Sequence, residues 1–412
     1  MFRRLAYTIA GLAVVVLAVL GSLLATGERG LSGRADHIRS PFGPRTVDTY
    51  RADAAEAERL GWSPGALDRV LDYVSRLSAD TFIIMTDGEV VASLGDIEQP
   101  HSIHSARKAM LSAVVGQHVG EGPNEVPLDA TLEELGVDDS PGSLTPLQRR
   151  ATVLDLLHSK SGINHPAAAE GGLTAEKDER LGNTENEPGT IWAYNNWDYN
   201  ALTTIFEQRT GLSVAQAFET GIAEPTGMED YTLDSVSYSE APDRSQHRAV
   251  MFKMSGRDLG RFGQLYLDQG VVGDAAVLPR SWINRITIDF AETGIGGLRA
   301  GHGFLWWLPD PETGLPEGSY FAWGLGQQSV FVIPAWNTVI VHQSDTTEFL
   351  KRWFDLQRQG VGGDTALEQI LEGCLEKDAL KTEFCREHRF TGRREFNRLI
   401  SAVAAARHQR GP

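Results

Sequence analysis

The chain has 412 residues, 41% of them hydrophobic, with 43 glycines and 18 prolines. That is enough apolar side chain for a large core, and it excludes a fibre or a disordered chain. A net charge of -17 repels phosphate backbones and no basic stripe offsets it, so nucleic acid is excluded as a partner.

Arg3 and Arg4 precede an uncharged, mostly apolar run over residues 5–25. At 1.5 Å per residue it is long enough to span roughly the 30 Å core of a bilayer. The run predicts a membrane-spanning signal anchor or a cleaved signal peptide over residues 1–26. Either places the rest of the chain outside the cytoplasm: at the membrane facing the periplasm or exterior, or exported after cleavage. The membrane is then a partner through this helix. Residues 27–55 are polar and read as a tether.

A domain is expected over 56–358. Ser63 and Pro64 start a helix, as a cap residue followed by proline at the first helical position, with Leu67, Val70, Leu71 and Val74 at helical spacing. Residues 82–85 and 90–94 are β-rich runs around Asp87-Gly88, the signature of a hairpin. A largely buried helix follows over 105–117, and a short one over 152–157. Residues 166–189 are poor in apolar side chains and read as a long surface loop. Helices are expected over 199–208 and 214–220, from Ser255 to about Leu267, and from Ser281 through Trp282. Strand-like runs return at 303–307, 328–333 and 338–342, and a helix closes the domain over 349–356. With strands at both ends and helices between, the fold class is α+β, layered: the N- and C-terminal strands pair in one antiparallel sheet beside a mainly helical middle. Residues 359–412 form a charged C-terminal extension. It carries a helix near 393–407 and both cysteines, Cys374 and Cys385, which an oxidising compartment would permit to pair.

Ser105-Ala106-Arg107-Lys108 sets a hydroxyl and an amine three residues apart, on one face of a helix. At a helix start the Ser105 N–H is an unsatisfied donor that can hold an oxyanion, and a desolvated Lys108 can accept the serine proton. Alone this pairing is common. Tyr194-Asn195-Asn196 adds a phenol able to relay a proton and an amide able to orient Lys108 or a carbonyl. Trp192 and Trp197 flank it. His101, His104 and His302 read as structural or rim residues. No histidine cluster has ligand spacing, so neither a metal nor a cofactor is expected.

With these motifs in order, the chain resembles the serine β-lactamase and penicillin-recognising superfamily, nearest its class C-like branch of esterases, D-amino acid peptidases and 6-aminohexanoate-dimer hydrolases. Ser105-x-x-Lys108 matches the first signature and Tyr194-x-Asn196 the second. Residues 155–162, 254–263, 303–307 and 324–327 resemble further family segments, and the likeness runs over about 60–358. It implies a β-lactamase-like fold with Ser105 as acylated nucleophile, Lys108 as base and Tyr194 as acid/base toward the leaving group. Asn196 becomes a substrate-side donor. The family carries Lys-Thr-Gly or His-x-Gly on the closing strand, and here residues 320–327 hold neither Lys nor His. The second oxyanion N–H is expected near Ala322, Trp323 and Gly324, with Trp192 and Trp306 lining the substrate. Without the cation, a carboxylate on the substrate loses its partner. The expectation is therefore a serine hydrolase of a small ester or simple amide. The alternatives are a cell-wall D,D-peptidase or β-lactamase, and a catalytically inactive binding domain of the same fold.

Overall fold

In the computed structural model, residues 48–170, 173–359 and 390–407 are described, and all lie in one compact unit. The N-terminal strands are β1 (Thr49–Arg51), β2 (Thr81–Thr86) and β3 (Glu89–Gly95). Between them run helices α1 (Ala54–Arg59) and α2 (Pro64–Ser75). Asp87 and Gly88 turn the β2–β3 hairpin at φ 53° and 79°, the pair of positive φ angles that a two-residue hairpin turn requires.

The helical middle holds α3 (Arg107–Gln117), α4 (Val153–Leu157), α5 (Thr174–Leu181), α6 (Asn196–Thr210) and α7 (Val214–Phe218). Strands β4 (His101–Ser102), β5 (Val236–Ala241) and β6 (Ser245–Met254) make a small sheet in the order β4-β6-β5. Then come α8 (Gly256–Leu267), the hairpin β7 (Val271–Val272) and β8 (Ala275–Ala276), and α9 (Arg280–Ile288). The C-terminal strands are β9 (Ala291–Glu292), β10 (Gly301–Gly303), β11 (Trp306–Leu308), β12 (Tyr320–Gly324), β13 (Gln328–Ile333) and β14 (Thr338–Gln343). Helices α10 (Thr347–Arg358) and α11 (Arg393–Ala406) end the described chain.

The main sheet has nine antiparallel strands in the order β1-β3-β2-β14-β13-β12-β11-β10-β9. Strand β2 from the N-terminal part of the chain pairs with the last strand, β14, inside the sheet, with Ile83 opposite Val341 and Met85 opposite Val339. Both faces are covered. Val330 and Phe331 are neighbours on β13, so their side chains leave opposite faces. A Cβ on Gly263 of α8 would stand 2.8 Å from a Val330 methyl carbon and 2.6 Å from one of Val339, so only glycine lets α8 lie this close. Phe331 meets Phe396 of α11 on the other face, ring centres 6.0 Å apart. Phe396, Leu399, Ile400 and Val403 of α11 are buried in this layer, and Ser63 N donates to Ala406 O at 2.9 Å beside the start of α2.

Helix α3 runs through the interior. Every residue from Arg107 to Gly116 is buried, as expected of a helix enclosed on all sides. Its entry is anchored by the small sheet: His101 pairs with Met254 and Ile103 N donates to Phe252 O at 3.1 Å.

Three expectations change. The membrane-spanning helix does not enter the observed fold: among the described residues no helix is long and apolar enough to cross a membrane, and residues 5–25 lie outside the described residues. The α+β fold therefore stands without its transmembrane element, and the membrane partner and the membrane or exported location that depended on that element are set aside. The predicted strand 303–307 is a hairpin instead. Phe304 and Leu305 turn it at φ 50° and 70°, angles costly for bulky residues. Both side chains are buried there, and Phe304 packs edge-on against Trp282 with ring centres 4.8 Å apart. The segment 166–189 contains α5, whose polar composition hid one buried edge, Lys177 and Leu181. Lys177 donates to Glu170 Oε1 at 3.0 Å and to the His165 carbonyl at 3.1 Å. The hairpin β5–β6 was not foreseen. Cys374 and Cys385 lie outside the described residues.

Candidate active site

Ser105 sits in a 3-10 turn, His104–Ala106, that leads into α3. One turn on, Lys108 Nζ donates to Ser105 Oγ at 3.0 Å. Lys108 is 2% exposed, and its Nζ stands 4.8 Å from the ring centres of both Tyr194 and Tyr199. Burial, reinforced by the neighbouring Arg107 charge, holds the Lys108 amine well below the usual lysine range, which favours the free base.

Tyr194 immediately precedes Asn195, the cap of α6, whose side chain accepts from Trp197 N at 3.1 Å. The Tyr194 phenol is pushed up to about 12 by burial; its hydrogen bond with the Ser105 side chain and the Arg107 charge pull the other way. It is therefore a neutral acid near pH 7. Asn196 opens α6, buried, with Oδ1 unpaired among the described residues.

Strand β12 closes the other side. A Cβ on Gly324 would stand 3.1 Å from Ser105 N and from Ala106 N and would clash with the Ile103 carbonyl oxygen, so this strand end lies against the serine turn and no larger residue fits. Ala322 is buried. Trp323 is half-buried, and its indole N–H donates to Gln327 Oε1 at 2.8 Å. The structure thus brings Ser105, Lys108, Tyr194 and the Trp323-Gly324 end of β12 together.

The aromatic wall differs from expectation at one position. Trp306 packs into the core, 4.6 Å from Tyr266 and 5.2 Å from Tyr320 between ring centres. Its neighbour Trp307 faces the site, stacked on Tyr194 at 5.4 Å and 6.2 Å from Trp323. Alternation along β11 permits only one of the two to do so, and the sequence carries no mark of which. Trp192 joins this wall, 6.0 Å from Trp307.

Of the neighbouring residues Tyr199 went unread, and His302 and His104 were read only as structural or rim residues. Tyr199 packs edge-on against Tyr194, ring centres 5.2 Å apart, and shares a hydrogen bond of 2.7 Å with Ser159. His302 is fully buried between Tyr194 and Trp307, at 6.0 and 4.8 Å. Neither ring nitrogen has a partner among the described residues, and burial, with the His158 and Lys108 charges, lowers its pKa to about 3. His104 meets Thr346 Oγ1 at 2.7 Å and is pushed down to about 4 by burial and by Arg107 and Lys108. Both histidines therefore stay neutral at pH 7. Their position could be found only from the folded chain.

The family model for beta-lactamase matches residues 67–358. The 6-aminohexanoate-dimer hydrolase of Paenarthrobacter ureafaciens is 24% identical over 380 residues, which cover 81% of this chain and 92% of that protein. A D-aminopeptidase of Gluconobacter oxydans (strain 621H) is 30% identical over 114 residues, 25% of this chain and 20% of that protein. The crystal structure of a family VIII carboxylesterase superposes with a TM-score of 0.51 at 15% identity, covering 73% of this chain and 94% of that one; this likeness is one of fold. By the extent of the family match and the sheet that carries it, the chain belongs to the β-lactamase family.

Proposed function

We propose that the chain is a serine hydrolase acting on an ester or a simple amide through an acyl-enzyme on Ser105. The observation that carries this reading is the Lys108 Nζ to Ser105 Oγ contact of 3.0 Å, made where burial favours the free amine. A nucleophile and its base within hydrogen-bond reach, with the base held by its surroundings, is the arrangement acyl transfer needs. The names of the similar proteins, a 6-aminohexanoate-dimer hydrolase, a D-aminopeptidase and a carboxylesterase, fit the same chemistry.

In this reading Lys108 accepts the Ser105 proton as Oγ bonds to the carbonyl carbon and the carbonyl electron pair moves to oxygen. The Ser105 N–H and a β12 N–H near Trp323 and Gly324 stabilise that oxyanion. The pair returns, the bond to the leaving group breaks, and the leaving group departs with a proton passed from Lys108 through Tyr194. Water then adds to the acyl-serine, giving its proton back to the same pair. The acid is released and Ser105 regains its hydrogen.

The test is fluorophosphonate labelling and chromogenic ester turnover on the full chain. Label is expected on Ser105, and Ser105→Ala is expected to lose both label and turnover. Equal turnover by the Ser105→Ala protein would overturn the assignment.

A further inference from the structure

The Ser105 chemistry leaves one buried charge on this wall unused. Arg299 closes the short turn Gly297–Arg299 before β10 and is 7% exposed. Its guanidinium carbon stands 5.3 Å from the Trp323 ring centre and 5.8 Å from that of Trp307. No carboxylate among the described residues lies in ion-pair contact with it, and its Nη1 is buried with no hydrogen-bond partner among them. A buried guanidinium without an acceptor is costly, so it marks a place where an acceptor belongs.

The two rings it touches are the rings that border the site. Trp307 stacks on Tyr194, and Trp323 directly precedes Gly324, which abuts the serine turn. A second orphan donor lies on the same wall: Trp192 Nε1 is buried and unpaired among the described residues, its ring 6.0 Å from Trp307. Arg180, which lies over Trp192 at 4.8 Å, is already neutralised by Glu176 at 2.8 Å. What this wall lacks is therefore an acceptor of negative charge. A planar guanidinium matches a carboxylate through two parallel N–H donors.

We infer that Arg299 is a specificity residue, pairing with a carboxylate that the ester or amide substrate carries away from its scissile bond. The apolar chain between them lies along Trp323 and Trp307. The cation missing from β12 then comes from a different segment, and the preferred substrate is an anionic ester or amide. This inference rests on the reading of Ser105 as nucleophile.

The experiment compares p-nitrophenyl butyrate with mono-p-nitrophenyl glutarate, whose acyl chain ends in a carboxylate, on the full chain. Wild type is expected to favour the glutarate. Arg299→Gln is expected to lower the glutarate-to-butyrate ratio of kcat/KM by about 10- to 100-fold, mainly through KM. Arg299→Lys keeps the charge without the planar fork and is expected to fall between; it also serves if the Gln variant does not fold. A ratio unmoved in the variants, or a wild type indifferent to the carboxylate, overturns the inference. Calorimetric binding of glutaramate against butyramide to the Ser105→Ala chain separates the two readings. Arg299-dependent binding of glutaramate without any Ser105-dependent turnover supports Arg299 and sinks the hydrolase reading. Equal binding of both amides sinks Arg299 alone.

Discussion

Two buried polar clusters in this molecule close their hydrogen bonds to very different degrees. The Asp139 carboxylate is fully partnered. Oδ1 accepts from Ser140 N at 2.8 Å, Ser245 Oγ at 2.8 Å and Gln246 N at 3.1 Å. Oδ2 accepts from Trp197 Nε1 at 2.7 Å and from His165 Nδ1 at 3.0 Å. One carboxylate thereby ties the loop before α4 to α6 and to the start of β6. Around Ser105 the account stays open. Arg107 Nη1, Trp192 Nε1, Asn196 Oδ1, Arg299 Nη1 and both nitrogens of His302 are buried without partners among the described residues. Each orphan costs stability. Such costs are tolerated where a substrate completes the network, so the partnered carboxylate fits a structural role and the open cluster fits the proposed catalytic one.

The comparison can be sharpened first at its open end. Ser105→Ala and Lys108→Ala should each cut ester turnover by at least about 10³-fold while leaving the chain folded by circular dichroism. Wild-type kcat/KM should rise with pH through the lowered Lys108 pKa, because only the free amine accepts the serine proton, and fall again only toward the Tyr194 value of about 12. A flat acid limb in the wild type would count against Lys108 as the base.

At the closed end, Asp139→Ala should destabilise by about 3–5 kcal/mol in urea melts, because the donors it leaves are buried. Turnover per folded molecule should change far less. A smaller effect follows from pH. Burial pushes the Asp139 carboxyl up, but the hydrogen bonds from His165, Ser245, Trp197 and Ser140 outweigh it and hold it at about 2. Its folded pKa lies below its unfolded one. The stabilisation, about 2 kcal/mol, is therefore full above roughly pH 4 and lost as pH falls toward 2. Asp139→Asn should flatten that part of the stability profile. The smallest effect returns to the open cluster: His302→Leu should change unfolding free energy by less than about 1 kcal/mol, since it removes an imidazole that bonds nothing among the described residues. A loss as large as that of Asp139→Ala would erase the distinction between the clusters.

Elements with a strong local signal were legible: the Asp87-Gly88 hairpin, the Pro64 helix start, the Ser255 cap and the strands β13 and β14. Those that failed lacked it. Helix α5 has a single buried edge, and its Lys177 is held by Glu170, a partner outside the helix. The Phe304-Leu305 turn puts bulky residues at positive φ, which no turn rule anticipates, because their burial against Trp282 and the sheet decides the matter. In the site, Ser105, Lys108 and Tyr194 were readable as motifs, whereas Trp307 and Arg299 were not.

By itself the sequence determined the short-range part of this protein: periodicities of two and 3.6, caps, turn dihedrals and the three-residue spacing of Ser105 and Lys108. These depend on a few neighbouring residues. Only the tertiary structure decided which tryptophan faces the site, because strand parity in β11 sets it, and which cation lies beside that tryptophan, because the turn Gly297–Arg299 packs against Trp307 and Trp323. Burial, too, is a property of the assembled chain. It turns Lys108 from an ordinary surface cation into a candidate base, and leaves Arg299 on the same wall in need of an acceptor.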